Sequence, residues 1–276
     1  MRIGVHQLLI LLAATVTMVE CRKSRAKDNR YCTSKYCKTD NIACHNNGTL
    51  SHDCHHSSKF IEMKPYKKAL DGMFNTVRNK VARGGYRNLP VAGRMARMVW
   101  SEELAWFAKL QLTHCRLRFQ QCMNSPYFYY IGSMGDEVIR PLGQLIIPEL
   151  SHMKSMVESW HSQVTGIPRS DTLRLPSSYA KVNTFRSTLL INEKNSHFGC
   201  AAITFQYTGY KYFLFCCSFA TMNIPERPIY KWSLRPGQDC YRLDKQYKNL
   251  CAEGERYGND VPVKNLSLHI EPIDTM

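Results

Sequence analysis

The sequence predicts an α+β fold, an α-β-α sandwich in which helices flank an antiparallel sheet and disulfides staple the layers together. Three observations predict it. Apolar stripes at helical spacing occupy the first half, β-branched and aromatic runs follow Pro176, and twelve cysteines are spread along 276 residues. Helices first and an antiparallel sheet later suit a layered domain, and the length is ample to bury a core.

The elements follow in order. Arg2 and the apolar run "LLILLAATVTMV" (8–19), ahead of the charged "CRKSRAKDNR", read as a signal peptide over residues 1–21. The run is short for a membrane span, and no comparable run occurs later. Residues 22–60 are polar and cysteine-dense, a stapled loop region. From Met63 to Arg83 the residues Leu70, Phe74, Val77 and Val81 recur at spacings of four and three, predicting a helix with one buried stripe. Gly84, Gly85 and Pro90 break it.

A second helix is predicted in "RMARMVWSEELAWFAKLQLTHC" (94–115), with Ser101 as N-cap, Glu103 in the first turn and Leu104, Phe107, Ala108 and Leu112 on one face. A third runs from Ile147 to Gln163 and aligns Leu150, Met153, Val157 and Trp160. Then "AAITFQY" (201–207) and "KYFLFCCSF" (211–219), joined through "TGYK", predict a hairpin. Leu189 to Ile191 reads either as a short strand or as a helix end. The stretch from Ile224 onward is rich in proline and charge and is expected to wrap as an ordered tail around Cys240 and Cys251.

Composition narrows function. Twelve cysteines behind a signal peptide point to an oxidising compartment and disulfides. The formal net charge is +15, and the leader holds one Arg and one Glu, so its removal leaves that balance unchanged. Such a protein is drawn to an extracellular protein, an acidic glycan or a lipid surface. No nucleic-acid motif is present. Asn47 and Asn265 open sequons for N-glycans. "SHDCHH" (51–56) brings His52, His55 and His56 together, but no second cluster with zinc spacing follows, so it reads as a polar loop beside a cystine. No G-x-S-x-G element supports a serine nucleophile. The aromatic run "PYFYYIG" (126–132), with Phe119 and Trp160, either packs the core or lines a groove for a hydrophobic small molecule.

Five segments carry a family resemblance: "YCTSKYCKTDNIACHNNG" (31–48), "FNTVRNKVARG" (74–84), "MVWSEELAWFAKLQLTHC" (98–115), "HFGCAAITF" (197–205) and "KYFLFCCSFA" with Asn223. They resemble the CAP superfamily, nearest to insect antigen-5 or venom-allergen-like proteins. The resemblance implies an α-β-α sandwich with a CAP domain at 61–225 and a C-terminal extension at 226–276. It also implies the bridges Cys32–Cys44, Cys37–Cys122, Cys54–Cys115, Cys200–Cys216 and Cys240–Cys251. Cys217 is left as the odd thiol or as a partner for Cys21.

Many CAP proteins line a cleft with two histidines and two carboxylates, a set suited to zinc. The matching positions here are Phe119, Ser133, Gln163 and Arg186. Phe offers no ligand atom, Arg stays charged, and Ser and Gln are weak neutral donors. Phe74 also stands where a histidine often opens the first helix, and His197 lies outside the tetrad as a structural or surface residue. The resemblance therefore implies no catalytic residue, no metal and no cofactor. It implies a secreted, non-enzymatic interaction protein, with a seminal-fluid signalling or carrier role in view. The alternatives are a lipid or sterol carrier and a salivary or venom-allergen-like defence protein.

Overall fold

The computed structural model describes residues 29–117, 122–178 and 183–263. The sheet is built from β1 (Lys59–Ile61), β2 (Val99–Trp100), β3 (Gly132–Pro141), β4 (His197–Tyr207) and β5 (Tyr210–Phe219). Its order is β1-β4-β5-β3, all antiparallel, and β2 adds a short parallel pairing to the start of β4. The helices are α1 (Lys67–Ala82), α2 (Glu102–Gln111), α3 (Glu149–Ser162), α4 (Arg169–Leu173) and α5 (Phe185–Leu190).

The two faces of the hairpin are both apolar, and each is covered. Phe198, Cys200, Ala202, Phe213, Phe215, Cys217 and Phe219 pack with α1, α3 and α5. Ala201, Ile203, Leu214 and Cys216 pack with Ala108 and Leu112 from α2 and its C-terminal end. Successive side chains on a strand point to opposite faces, so the unbroken apolar run of β5 is the mark of a strand buried on both sides. The α-β-α sandwich is thus present.

α1 starts later than the periodicity predicts. A 3₁₀ turn at Lys64–Tyr66, with Pro65 inside it, leads into the helix, because proline has no N–H to give and suits only the first turn. Leu70, Phe74, Val77 and Val81 all lie in the core. α2 begins as predicted, with Ser101 Oγ accepting from Leu104 N at 3.3 Å and two glutamates in the first turn. In α3, Met153, Val157 and Trp160 are buried, but Leu150 is exposed in the first turn. Leu189 and Leu190 end α5 and form no strand. The hairpin turn is Thr208-Gly209, both at positive φ (44° and 80°), as a two-residue loop between twisted strands requires. β3 is a ten-residue strand in a stretch where the sequence reading saw none. Its two glycines and its charged residues hide its alternation.

Five disulfides are formed: Cys32–Cys44, Cys37–Cys122, Cys54–Cys115, Cys200–Cys217 and Cys240–Cys251. The fourth corrects the implied Cys200–Cys216 bridge. The register sets Cys200 directly opposite Cys217, with Cα atoms 4.0 Å apart, and Ala201 opposite Cys216. Cys216 therefore faces α2, the wrong side of the sheet for Cys200, since one residue of shift reverses the face. It is the buried free thiol among the described residues, and burial pushes its pKa up. Cys21 lies outside those residues.

α2 sits directly on the β4 backbone. A Cβ on Gly199 would fall 2.0 Å from Ala105 N and 2.5 Å from Ser101 O, so no other residue permits that approach. The C-terminal segment wraps back on residues 92–97: Cys251 N donates to Met95 O, and Arg97 N donates to Cys251 O. No helix among the described residues is long and apolar enough to cross a membrane.

Two outcomes test this packing. Thiol alkylation is expected to modify Cys216 only after unfolding, with peptide mapping recovering the Cys200–Cys217 cystine. Arg78→Met, which strips a buried donor fork from four backbone carbonyls, is expected to cost at least about 3 kcal/mol, read as a lowered urea midpoint with disulfides intact.

Candidate functional site

Two regions are candidates. The first is the cleft between β3, α3 and α5, where the resemblance places the metal tetrad. Arg186, in the first turn of α5, reaches Gly135 O with Nη2 at 3.3 Å and lies 3.6 Å from Asp136 Oδ1. The other oxygen of Asp136 accepts from Trp160 Nε1 at 3.2 Å. Ser187 Oγ donates to Trp160 O at 2.7 Å, fastening α5 to α3. The Trp160 indole is stacked on Phe215, 5.7 Å between ring centroids. Gln163, just past α3, has a buried Oε1 with no partner among the described residues.

Ser133 is not part of this cleft. It lies on β3 but points to the α2 side, where its hydroxyl shares a 2.7 Å hydrogen bond with Ser218 Oγ and approaches Met123 Sδ. Asp136, three residues further along, has the opposite parity and is the carboxylate that meets Arg186. The sequence reading missed it because β3 was not recognised as a strand. The alternation of Met134, Asp136 and Val138 was the available signal. Phe119 lies outside the described residues. The donor set among the described residues does not fit zinc: the Arg186 cation stands 3.6 Å from one oxygen of the carboxylate, and Trp160 donates to the other. A second positive charge would meet repulsion and only weak neutral donors.

The second region is an open groove of about 930 Å³ beside the start of α2, lined by Trp100, Tyr127, Phe128, Tyr257 and His197 with Arg30 and Glu103 on its rim. Glu103 builds its wall. The carboxylate accepts from Tyr31 Oη at 2.9 Å, Arg30 Nη2 at 3.2 Å and Ser125 Oγ at 3.2 Å. This draws the N-terminal loops and the 125–128 turn onto α2. Tyr257 reaches the groove from the C-terminal extension, its hydroxyl donating to Arg94 O at 3.1 Å and its ring lying under the Arg94 guanidinium. Of the aromatic run 126–132, Tyr127 is exposed in the groove, Phe128, Ile131 and Gly132 are buried, and Pro126, Tyr129 and Tyr130 lie between.

His197 opens β4 on the groove side. Its Nδ1 pairs with Ser196 Oγ at 2.9 Å and its ring lies 5.5 Å from that of Phe128. Burial holds its pKa below the ordinary histidine value. Its partners are a neighbouring hydroxyl and an aromatic ring, which suit a packed histidine. The histidines of the 51–56 loop stand elsewhere: the rings of His55 and His56 are 3.9 Å apart, and His52 meets Asp53 at 3.1 Å. Asn47 is exposed, and its Oδ1 accepts from Thr49 Oγ1 at 2.8 Å within the sequon. Asn265 lies outside the described residues.

The CAP profile, described as the cysteine-rich secretory protein family, matches residues 72–219. The chain belongs to the CAP family. Tablysin 15 of Tabanus yao is 30% identical over 227 residues, covering 79% of this chain and 85% of that protein. Tabinhibitin 2 of the same species is 27% identical over 249 residues, with 90% and 92% covered. Venom allergen-1 of Aedes albopictus is 25% identical over 90% of this chain and 94% of its own length. Among solved structures, BmVAL-1 superposes with a TM-score of 0.55 at 17% identity, covering 69% of this chain and 95% of that one. The zinc form of NaASP2 gives 0.52 at 15%, covering 75% and 99%. These two share the fold. The CAP match stops at residue 219, so Tyr257 and the other C-terminal groove residues lie outside it.

The pKa direction at His197 yields a pH prediction. A histidine held neutral by burial takes up its proton in the unfolded chain first. It adds no pH dependence well above the unfolded value, about 6.5. As pH falls through that value it destabilises the fold. His152 and His161 are shifted the same way. The thermal midpoint is expected to fall between pH 7 and pH 5, and His197→Gln is expected to show a shallower fall than the parent.

Proposed function

We propose that this protein is a secreted, non-enzymatic interaction protein of venom-allergen-like type, which uses the surface of a CAP scaffold to engage an acidic extracellular partner. The observation that carries this reading is the Arg186–Asp136–Trp160 arrangement, 3.6 Å and 3.2 Å across the carboxylate, at the place where the family resemblance puts a metal-binding tetrad. A salt-bridged carboxylate is a poor general base, and among the described residues no nucleophile is hydrogen-bonded to it. Support for secretion comes from the leader-like N-terminus and from five cystines. A net charge of +15 favours an acidic partner.

Zinc titration by calorimetry is expected to show no saturable event that Asp136→Asn removes. A stoichiometric site lost in that variant would return the cleft to metal chemistry. The tissue is decided by proteomics: peptides chiefly in ejaculate fit the seminal-fluid role, and peptides chiefly in saliva or gut fluid fit the host-directed role of a venom-allergen-like protein.

A carrier role is the second reading, favoured by the aromatic lining of the groove beside α2. Native mass spectrometry of the secreted protein is expected to retain a hydrophobic small molecule if it holds, and Tyr127→Asp would release it. A mass equal to polypeptide plus glycans alone counts against it.

A further inference from the structure

One end of the molecule is apolar where a solvated surface is normally polar. Leu145 and Ile146, adjacent in the loop between β3 and α3, are 86% and 83% exposed. Leu142, Leu150 and Ile139 are exposed beside them in sequence, and so are Tyr207 and Tyr210, which close the β4–β5 hairpin as register partners. Leu142 N donates to Gly209 O at 2.8 Å, so the loop and the hairpin turn form one continuous surface. Single exposed apolar residues are ordinary, but a cluster of this kind marks a binding surface.

A second observation lies directly beneath. Arg140 on β3 and Lys211 on β5 stand opposite each other in the register, an arrangement of like charges that costs stability. Among the described residues neither has a carboxylate at ion-pairing distance. Arg140 instead donates from Nε and Nη2 to Gln144 Oε1 at 3.3 and 3.0 Å, within the same loop. The two cations share a small cavity with His152, and Glu149 is its one acidic side chain. Burial first, and then the fields of Arg140 and Lys211, hold His152 below its ordinary value. The site thus sets two cations against one carboxylate and carries a net positive charge beside the aliphatic loop.

We propose that this end docks on an anionic phospholipid bilayer, with Leu145 and Ile146 entering the acyl boundary and Arg140 with Lys211 holding headgroup phosphates. The proposal deepens the reading of an interaction protein with an acidic partner and rests on it. Aliphatic side chains need an apolar medium, the cation pair needs anions, and an anionic bilayer supplies both within a few ångströms. Tyr207 and Tyr210 suit the headgroup level. Two weak signals, apolar and basic, together give the reversible attachment typical of peripheral proteins.

The test is flotation of the full secreted chain with vesicles of phosphatidylcholine alone or with about 30% phosphatidylserine. Saturable binding to the anionic vesicles is expected, at least about tenfold stronger than to the neutral ones and weakened by salt. Leu145→Asp with Ile146→Asp is expected to lower it at least about tenfold, with circular dichroism unchanged because both side chains are in solvent. Arg140→Gln with Lys211→Gln is expected to lower it several-fold on anionic vesicles only.

No binding of the parent chain overturns the proposal. So does undiminished binding of the aspartate variant, which would assign it to the general basic surface. Loss of parent binding in millimolar inorganic phosphate at fixed ionic strength would point to a free-anion site and overturn it too. Capture of a soluble acidic protein without vesicle binding would defeat the bilayer while leaving the proposed function standing.

Discussion

The fold depends on one buried cation. Arg78, fully enclosed on α1, donates to Ala96 O from Nε and Nη2, to Leu190 O and Asn192 O from Nη1, and to Glu193 O from Nη2. A charge taken out of water is costly unless its hydrogen bonds are met, and here backbone carbonyls from two distant segments meet them. Asn75, one turn earlier, completes the clamp. Its amide donates to Met98 O and its Oδ1 accepts from Met98 N, at 2.9 and 2.8 Å. Helix α1 thereby holds both the strand leading to α2 and the end of α5, so the two helical layers are set relative to the sheet by side chains of a single helix.

From that frame the parity of the strands decides the chemistry. Cys200 and Cys217 share the face toward α1, Cys216 and Ala201 the face toward α2, and a one-residue difference in register separates a cystine from an inert thiol. The same rule sends Ser133 away from the cleft and Asp136 into it. With Arg186 on the facing helix, Asp136 becomes half of an ion pair, so the place where the family resemblance puts a metal tetrad holds a cation of the chain's own. The Asp136 carboxylate is neutralised from within the chain, and the candidate binding surface lies elsewhere on the molecule.

That surface is assembled from parts that are far apart in sequence. The groove beside α2 takes residues from the N-terminal loops, the aromatic turn, the start of β4 and the C-terminal extension. The Glu103 carboxylate and the Arg94–Tyr257 contact are what bring them together. At the opposite kind of site, the aliphatic loop at 142–146 is local in sequence but acquires a basic floor only because β5 places Lys211 against Arg140.

The sequence alone determined the helices with strong apolar period, the Ser101 cap, the hairpin and the layered class, because those follow from side-chain spacing within one segment. Through the family motifs it singled out Gln163 and Arg186, and it read His197 as a structural or surface residue. It did not show β3, where glycines and charges conceal a two-residue period, nor the late start of α1 behind Pro65. Only the tertiary structure decided the partner of Cys200, the role of Asp136 and the lining of the groove. Each depends on which face a residue presents to a segment more than a dozen residues away, and that is settled by strand register and by the carbonyls gathered around Arg78, not by any local pattern.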